Sequence, residues 1–228
     1  MDRSPRLRHR PRMFDPMQLA VFLAAACVLA VVPGPGLLYV AARTLSGGRA
    51  EGIASSLGTG AGGLVHVAAG TVGVSALVLA SAEVFALLKI SGACYLAWLG
   101  LRTFLAARRD GAPGAAALPA AAPAGVRRAF REGLLVEALN PKTAAFFLAL
   151  LPQFVDPGRG HIAAQFAVLG AISVALNTGV DLAVAYAAGA VRGGLVARPR
   201  FVRRLREASG VVLVALGAGL LLARRPAS

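Results

Sequence analysis

The chain has 228 residues, 57% of them hydrophobic and only 15% charged, with a net charge of +14 carried almost wholly by arginine. Soluble domains hold about 25% charged residues and need a polar exterior, so a soluble enzyme is excluded. So is a disordered chain, which requires low hydrophobicity. The bases sit between apolar runs and form no basic face, which removes nucleic acid as a partner. What remains is an all-α polytopic membrane protein.

A membrane helix needs roughly 20 mainly apolar residues. Residues 1–16 form a basic tail, after which Pro16 to Ala42 and Gly52 to Ala82 carry apolar runs that predict the first two spans. Val84 to Leu101 predicts the third, with Lys89 near one end, where its stem can snorkel. Residues 107–130 are rich in Ala, Pro and Gly and read as a linker. Ala138 to Val155, Ile162 to Val191 and Ala208 to Ala223 follow as spans four to six, and 225–228 is a tail. The sixth is short, and Arg206 and Arg224 extend it by reaching for the headgroups. Cys27 and Cys94 lie inside apolar runs without metal or disulfide spacing, as small packing residues.

Arginines near span ends set orientation. The one–two, three–four and five–six loops hold 14 and the opposite side 8, which places those loops in the cytoplasm and both termini outside. The basic segment Arg3–Arg12 opposes this. It imitates a secretory signal, but the apolar run that follows is long and lacks a small-residue cleavage site. A start at Met13 or Met17 resolves the conflict, leaving 14 against 3.

The chain repeats itself. Ser56–Gly70 laid over Ala175–Gly189 agrees at seven of fifteen positions without a gap, including a Leu-Thr-Gly core. Ser91-Gly92 and Ser209-Gly210 open the third and sixth spans, and proline interrupts the first and fourth, at Val32-Pro33-Gly34-Pro35 and Leu139-Asn140-Pro141-Lys142. The offsets are similar. Three spans per half invert the second half, so the expected architecture is six transmembrane helices as two inverted three-helix repeats, 17–106 and 131–224. Inverted repeats with interrupted helices mark secondary transporters.

The interruptions carry the chemistry. Proline has no amide proton and clashes one turn back, so Pro33-Gly34-Pro35 must break or bend its span and free carbonyls. In lipid such a break is tolerated only against protein or a wet cavity. Asn140, Pro141 and Lys142 bring together an amide, a break and a cation that either snorkels or attracts a substrate carboxylate. Asp181 lies deep in the fifth span, where an unpaired carboxylate costs at least roughly 2.5–3.5 kcal/mol. It must face a cavity, find a partner or take a proton, and Asn177 and Thr178 lie one turn before it. His66 lies in the related region of the second span, as packing residue or pathway residue. Gly58, Gly60, Gly62 and Gly63 with Ser55 and Ser56 read as a close-packing face.

Val32-Pro-Gly-Pro35, Gly-Leu-Val-His66, the third span from Lys89 to Arg102 and Asn140-Pro-Lys-Thr-Ala-Ala-Phe-Phe-Leu-Ala-Leu-Leu-Pro-Gln-Phe-Val155 together resemble the LysE/RhtB-type family of amino-acid exporters. The likeness runs from about Met17 to Leu222, and the Asn-Pro-Lys stretch is its most specific part. It implies a six-helix carrier of the bacterial inner membrane that exports amino acids or related small solutes against protons. One position departs. The family commonly has Asp or Asn after Pro-Gly-Pro, where this chain has Gly36 and so no side chain.

The expected partners are a small-molecule substrate, membrane lipid and protons, with a homodimer left open. No cofactor is expected, and without a Gly-Lys-Ser/Thr loop the chain has no ATP motor of its own. Export of a metal or other cation is the alternative within carriers, although few acids and no Cys or Met cluster favour it. A membrane scaffold, or an intramembrane enzyme using His66 and a serine, are the alternatives from other classes. The charge bias makes a prediction. In a background lacking Cys27 and Cys94, an impermeant thiol reagent added outside will label a cysteine at Ser228 and miss one at Ala117. The opposite pattern inverts the topology.

Overall fold

The computed structural model describes residues 13–79, 82–109, 123–190 and 199–222. The basic segment Arg3–Arg12, most of the 107–130 linker, Arg192, Arg198 and the tail 225–228 lie outside the described residues. The described residues are helical, with no strand. Helix α1 spans Pro16–Val31, α2 Pro35–Leu79, α3 Ala82–Arg109, α4 Val126–Ala138, α5 Pro141–Ala145, α6 Ile162–Ala190 and α7 Pro199–Leu222.

Local chemistry sets the ends. Asp15 caps α1 by accepting from the amides of Met17 (2.9 Å) and Gln18 (3.1 Å), with Pro16 at the first helical position. The chain leaves the helix at Val32, held extended (φ −64°, ψ 114°) by the proline that follows, and Pro35 starts α2. Within α2, Gly48 has φ 81° and ψ −176°, a conformation that favours glycine. Thr44 lies against Gly52, although eight residues of straight helix rise about 12 Å, so the arms 35–47 and 49–79 fold toward each other.

The second break is built alike. Pro141 stops α4, and Asn140 Oδ1 accepts from the Lys142 amide (3.0 Å), capping α5. Beyond α5 the chain winds through a π turn, Phe146–Leu150, and a 3₁₀ turn, Leu151–Phe154. The fourth span was expected to open near Ala138 with Asn-Pro-Lys at its start. Instead α4 begins at Val126, inside the expected linker, so the break falls between two helices. Just before the first turn of α4, the Glu51 carboxylate holds the chain by accepting from the amides of Ala124 (2.8 Å) and Gly125 (2.7 Å).

Glycine brings the helices close. A Cβ on Gly58 would meet the Phe130 backbone and one on Gly62 the Leu134 carbonyl at 2.5 Å, so α2 lies against the backbone of α4. Gly60 and Gly63 face Thr178 and Val174 of α6. Gly100 and Gly210 cross at each other's carbonyls between α3 and α7. Each aligned pair of the sequence repeat is therefore in contact: α2 with α6, α3 with α7, and one proline break with the other. An apolar core of Phe22, Leu96, Phe146, Leu151, Phe166 and Leu169 fills the centre.

By length and composition two helical stretches can each cross a membrane, Lys89–Arg108 and Ile162–Ala187. Pro16–Val31 with Pro35–Gly73, bent by 46°, and Val126–Ala138 with Pro141–Phe154, bent by 41°, bring the number to four if each is one broken span. The chain is thus a multi-pass membrane protein, with two to four spans on these criteria among the described residues, where six were expected of the whole chain. The breaks and the bend at Gly48 divide the apolar runs, and the apolar part of α7 is short, Gly210–Gly219.

Close packing makes a prediction. Gly62→Ala will cost roughly 1–3 kcal/mol, because the methyl group meets backbone that cannot yield. Gly73→Ala, with nothing within 4 Å, will not. Thermal unfolding in detergent distinguishes them, and equal midpoints would mean that α2 and α4 are not so close.

Candidate functional site

The proline break frees carbonyls at the end of α1, and a buried cation satisfies them. Lys142 Nζ donates to the carbonyls of Val32 (3.0 Å) and Leu29 (3.2 Å), and its stem lies over Gly34. The residue is only 6% exposed. The two breaks thus complete each other: one supplies acceptors and the other a donor. Lys142 takes these carbonyls, because the membrane interior leaves neither a freed carbonyl nor an ammonium unpartnered at low cost.

Beside this contact lies a small cavity between α2, α4, α5 and α6, lined by Gly36, Asn140, Lys142, Asn177, Thr178 and Asp181 of the expected residues. It holds about 20 Å³, room for a water molecule. Asp181, 7% exposed, accepts a hydrogen bond from Thr59 Oγ1 (2.7 Å). Asn177 instead donates to its own helix, at Ser173 O (2.9 Å). Pro33, Gly34 and Pro35 do not line this cavity. They border a second, more open one of about 320 Å³, together with Leu99, Arg102 and Lys142, so the Lys142 stem separates the two. Pro141 lines neither and acts by starting α5. His66 stands behind the wall, its Nε2 3.0 Å from Glu137 O and its ring stacked on Phe147 at 5.7 Å.

Sequence reasoning missed three residues of the wall: Thr59, Thr143 and Glu137. Glu137 accepts from Asn140 Nδ2 (2.9 Å) and Thr143 Oγ1 (2.6 Å). A second acid of α4, Glu132, is neutralised instead. It pairs with Arg43 of α2 and with Arg128 (2.7 Å), and Tyr39 Oη lies 3.0 Å away. This cluster ties the first arm of α2 to α4 about two turns from Gly36. A carboxylate beside three arginines in one segment was the available signal, but the pairing spans 89 residues.

The family described as LysE type translocator matches residues 27–224, and the chain belongs to that family. An uncharacterized membrane protein of Vibrio cholerae is 33% identical over 202 residues, covering 89% of this chain and 94% of that protein. The homoserine/homoserine lactone efflux protein of Salmonella typhimurium is 30% identical over 204 residues, covering 89% and 95%. The leucine efflux protein of Klebsiella pneumoniae is 28% identical over 145 residues, covering 63% and 66%. No solved structure matches.

Removing the cation tests the central contact. Lys142→Met will leave the Leu29 and Val32 carbonyls unpaired, at about 1–3 kcal/mol each. The thermal midpoint in detergent will fall, and an unchanged midpoint would show that another group satisfies the break.

Proposed function

We propose that this chain is a secondary carrier that exports amino acids or closely related small zwitterionic solutes across the bacterial inner membrane, driven by protons. The observation that carries the reading is the cavity at the meeting of two broken helices, where Lys142 and Asp181 line one wall system. A zwitterion presents both charges, and Lys142 offers its third N–H to a carboxylate while acids of the cavity attract an ammonium. Asp181 is the proton carrier, because it lies deep in an apolar helix, accepts from the neutral Thr59 hydroxyl and makes no ion pair among the described residues. The efflux proteins among the relatives support the substrate class. Six spans in two inverted repeats, with both termini outside, supply the alternating access such a cycle needs. The contacts between aligned repeat segments support that arrangement. Export of a bare cation fits less well, since the fixed charge of Lys142 stands in the same cavity.

Expression in cells challenged with toxic amino-acid analogues and dipeptides tests the activity, and the pH dependence of export tests the coupling. Wild-type export will quicken as the outer medium is acidified, and Asp181→Asn, which keeps shape and removes charge, will lose that dependence while still reaching the membrane. Unchanged dependence returns Asp181 to a structural role.

A further inference from the structure

We infer that Glu137 is the residue that selects for the ammonium end of the solute, and that Gly36 is glycine to make room for it. The inference rests on the exporter reading above and assigns a role to a residue which that reading leaves unused.

Three observations carry it. The carboxylate of Glu137 faces the cavity and is held by neutral donors only, Asn140 Nδ2 and Thr143 Oγ1. Among the described residues it makes no ion pair, whereas Glu132, five residues earlier on the same helix, is bound by two arginines. Helix α4 therefore carries one acid that is spent on structure and one whose charge is left to the cavity.

The second observation is steric. A Cβ on Gly36 would lie 2.5 Å from Glu137 Oε2, so the carboxylate end of Glu137 would have to swing aside to admit a side chain there. On its other flank Glu137 Cβ lies 2.8 Å from where a Cβ on Gly62 would stand. Two glycines of α2 thus form the slot that receives this side chain, and positions 36 and 137 compete for one volume. Whichever of them carries a side chain places its end at the start of α2.

The third is charge complementarity. Lys142 is anchored on the Leu29 and Val32 carbonyls and Asp181 accepts from Thr59, and among the described residues Lys142 makes no ion pair with Glu137. Once Asp181 holds its proton, the wall keeps one negative and one positive group, Glu137 and Lys142. An amino acid supplies their opposites. A hydroxy acid, lacking the ammonium, would meet Glu137 with no countercharge and pay the desolvation of an unpaired carboxylate.

The test uses proteoliposomes of the full chain with labelled leucine and homoserine, and the deaminated 2-hydroxy analogue of leucine as the selectivity probe. Glu137→Gln keeps the side chain's size and will reduce amino-acid export by about tenfold or more, the scale of one charge-assisted hydrogen bond. It will also narrow the preference for leucine over the hydroxy analogue, which a purely structural role would leave alone. Gly36→Asp will lose export because two carboxylates crowd one volume. Gly36→Asp combined with Glu137→Ala moves the carboxylate to the other side of that volume and will recover export over Gly36→Asp alone. Glu137→Gln with wild-type rate and selectivity, or a double variant no better than Gly36→Asp, overturns the role of Glu137 and leaves the exporter reading standing. A wild-type chain that moves neither amino acid overturns the exporter reading, and this inference with it.

Discussion

An ammonium seated between two carbonyls organises this molecule. Pro33 and Pro35 break a helix where water cannot repair it, and the carbonyls of Leu29 and Val32 are left needing donors. Lys142 brings them from the far half of the chain, at 3.2 and 3.0 Å. Its own position depends on the second break, where Asn140 caps α5 and Pro141 starts it. Neither break is stable without the other. Their union fixes α5 against the end of α1, and with it the side of the cavity on which a positive charge stands.

The other walls are set by what α2 lacks. Gly58, Gly62 and Gly133 let α2 and α4 meet backbone to backbone, and Gly60 and Gly63 admit α6. Such closeness leaves about 20 Å³ between polar groups from four helices, too little for a solute. Passage of anything larger than water requires α4 or α6 to move off α2. The polar ties that such motion must break include Thr59 to Asp181 on one side, and on the other Tyr39 and Arg43 to Glu132, His66 to the Glu137 carbonyl and Glu51 to the head of α4. Helices α3 and α7 pair with each other through Gly100 and Gly210 and reach the rest chiefly at the π turn, so they stand beside the α2–α4–α6 contacts.

What the sequence made legible was local. Proline announces a break by its own chemistry, so Pro33–Pro35 and Asn140–Lys142 were visible without a partner in view. Asp181 stood out because a carboxylate in a long apolar run is costly anywhere. What stayed hidden depended on pairs distant in sequence. Lys142 meets Val32 across 110 residues and Thr59 meets Asp181 across 122, distances that no period or motif encodes. Glu137 was masked by its company: Arg127, Arg128, Arg131 and Glu132 precede it, and the whole stretch read as the charged approach to a span. Thr59 was masked by glycines and serines that do pack as expected. His66 was visible but stands behind the wall, holding the Glu137 carbonyl.

The repeat explains why two acids face one cavity while only one of them lies in a repeat-matched core. Aligning Ser56 with Ala175 sets Thr59 over Thr178 and Gly62 over Asp181. In the structure the paired threonines both reach the α2–α6 contact, Thr59 bonding Asp181 and Thr178 lying against Gly60. The backbone is thus shared between halves, and the charge is not. Where α6 carries Asp181, α2 carries Gly62, and onto that glycine falls the side chain of Glu137 from α4. The Cβ of Glu137 therefore lies at the position related to Asp181 while its carboxylate reaches Gly36, so the two acids enter from different helices. Supplying one from α4, beside Asn140 and Thr143, gives it different donors, different exposure and a different helix to move with. In the proposed cycle, that difference assigns one carboxylate to the proton and the other to the solute.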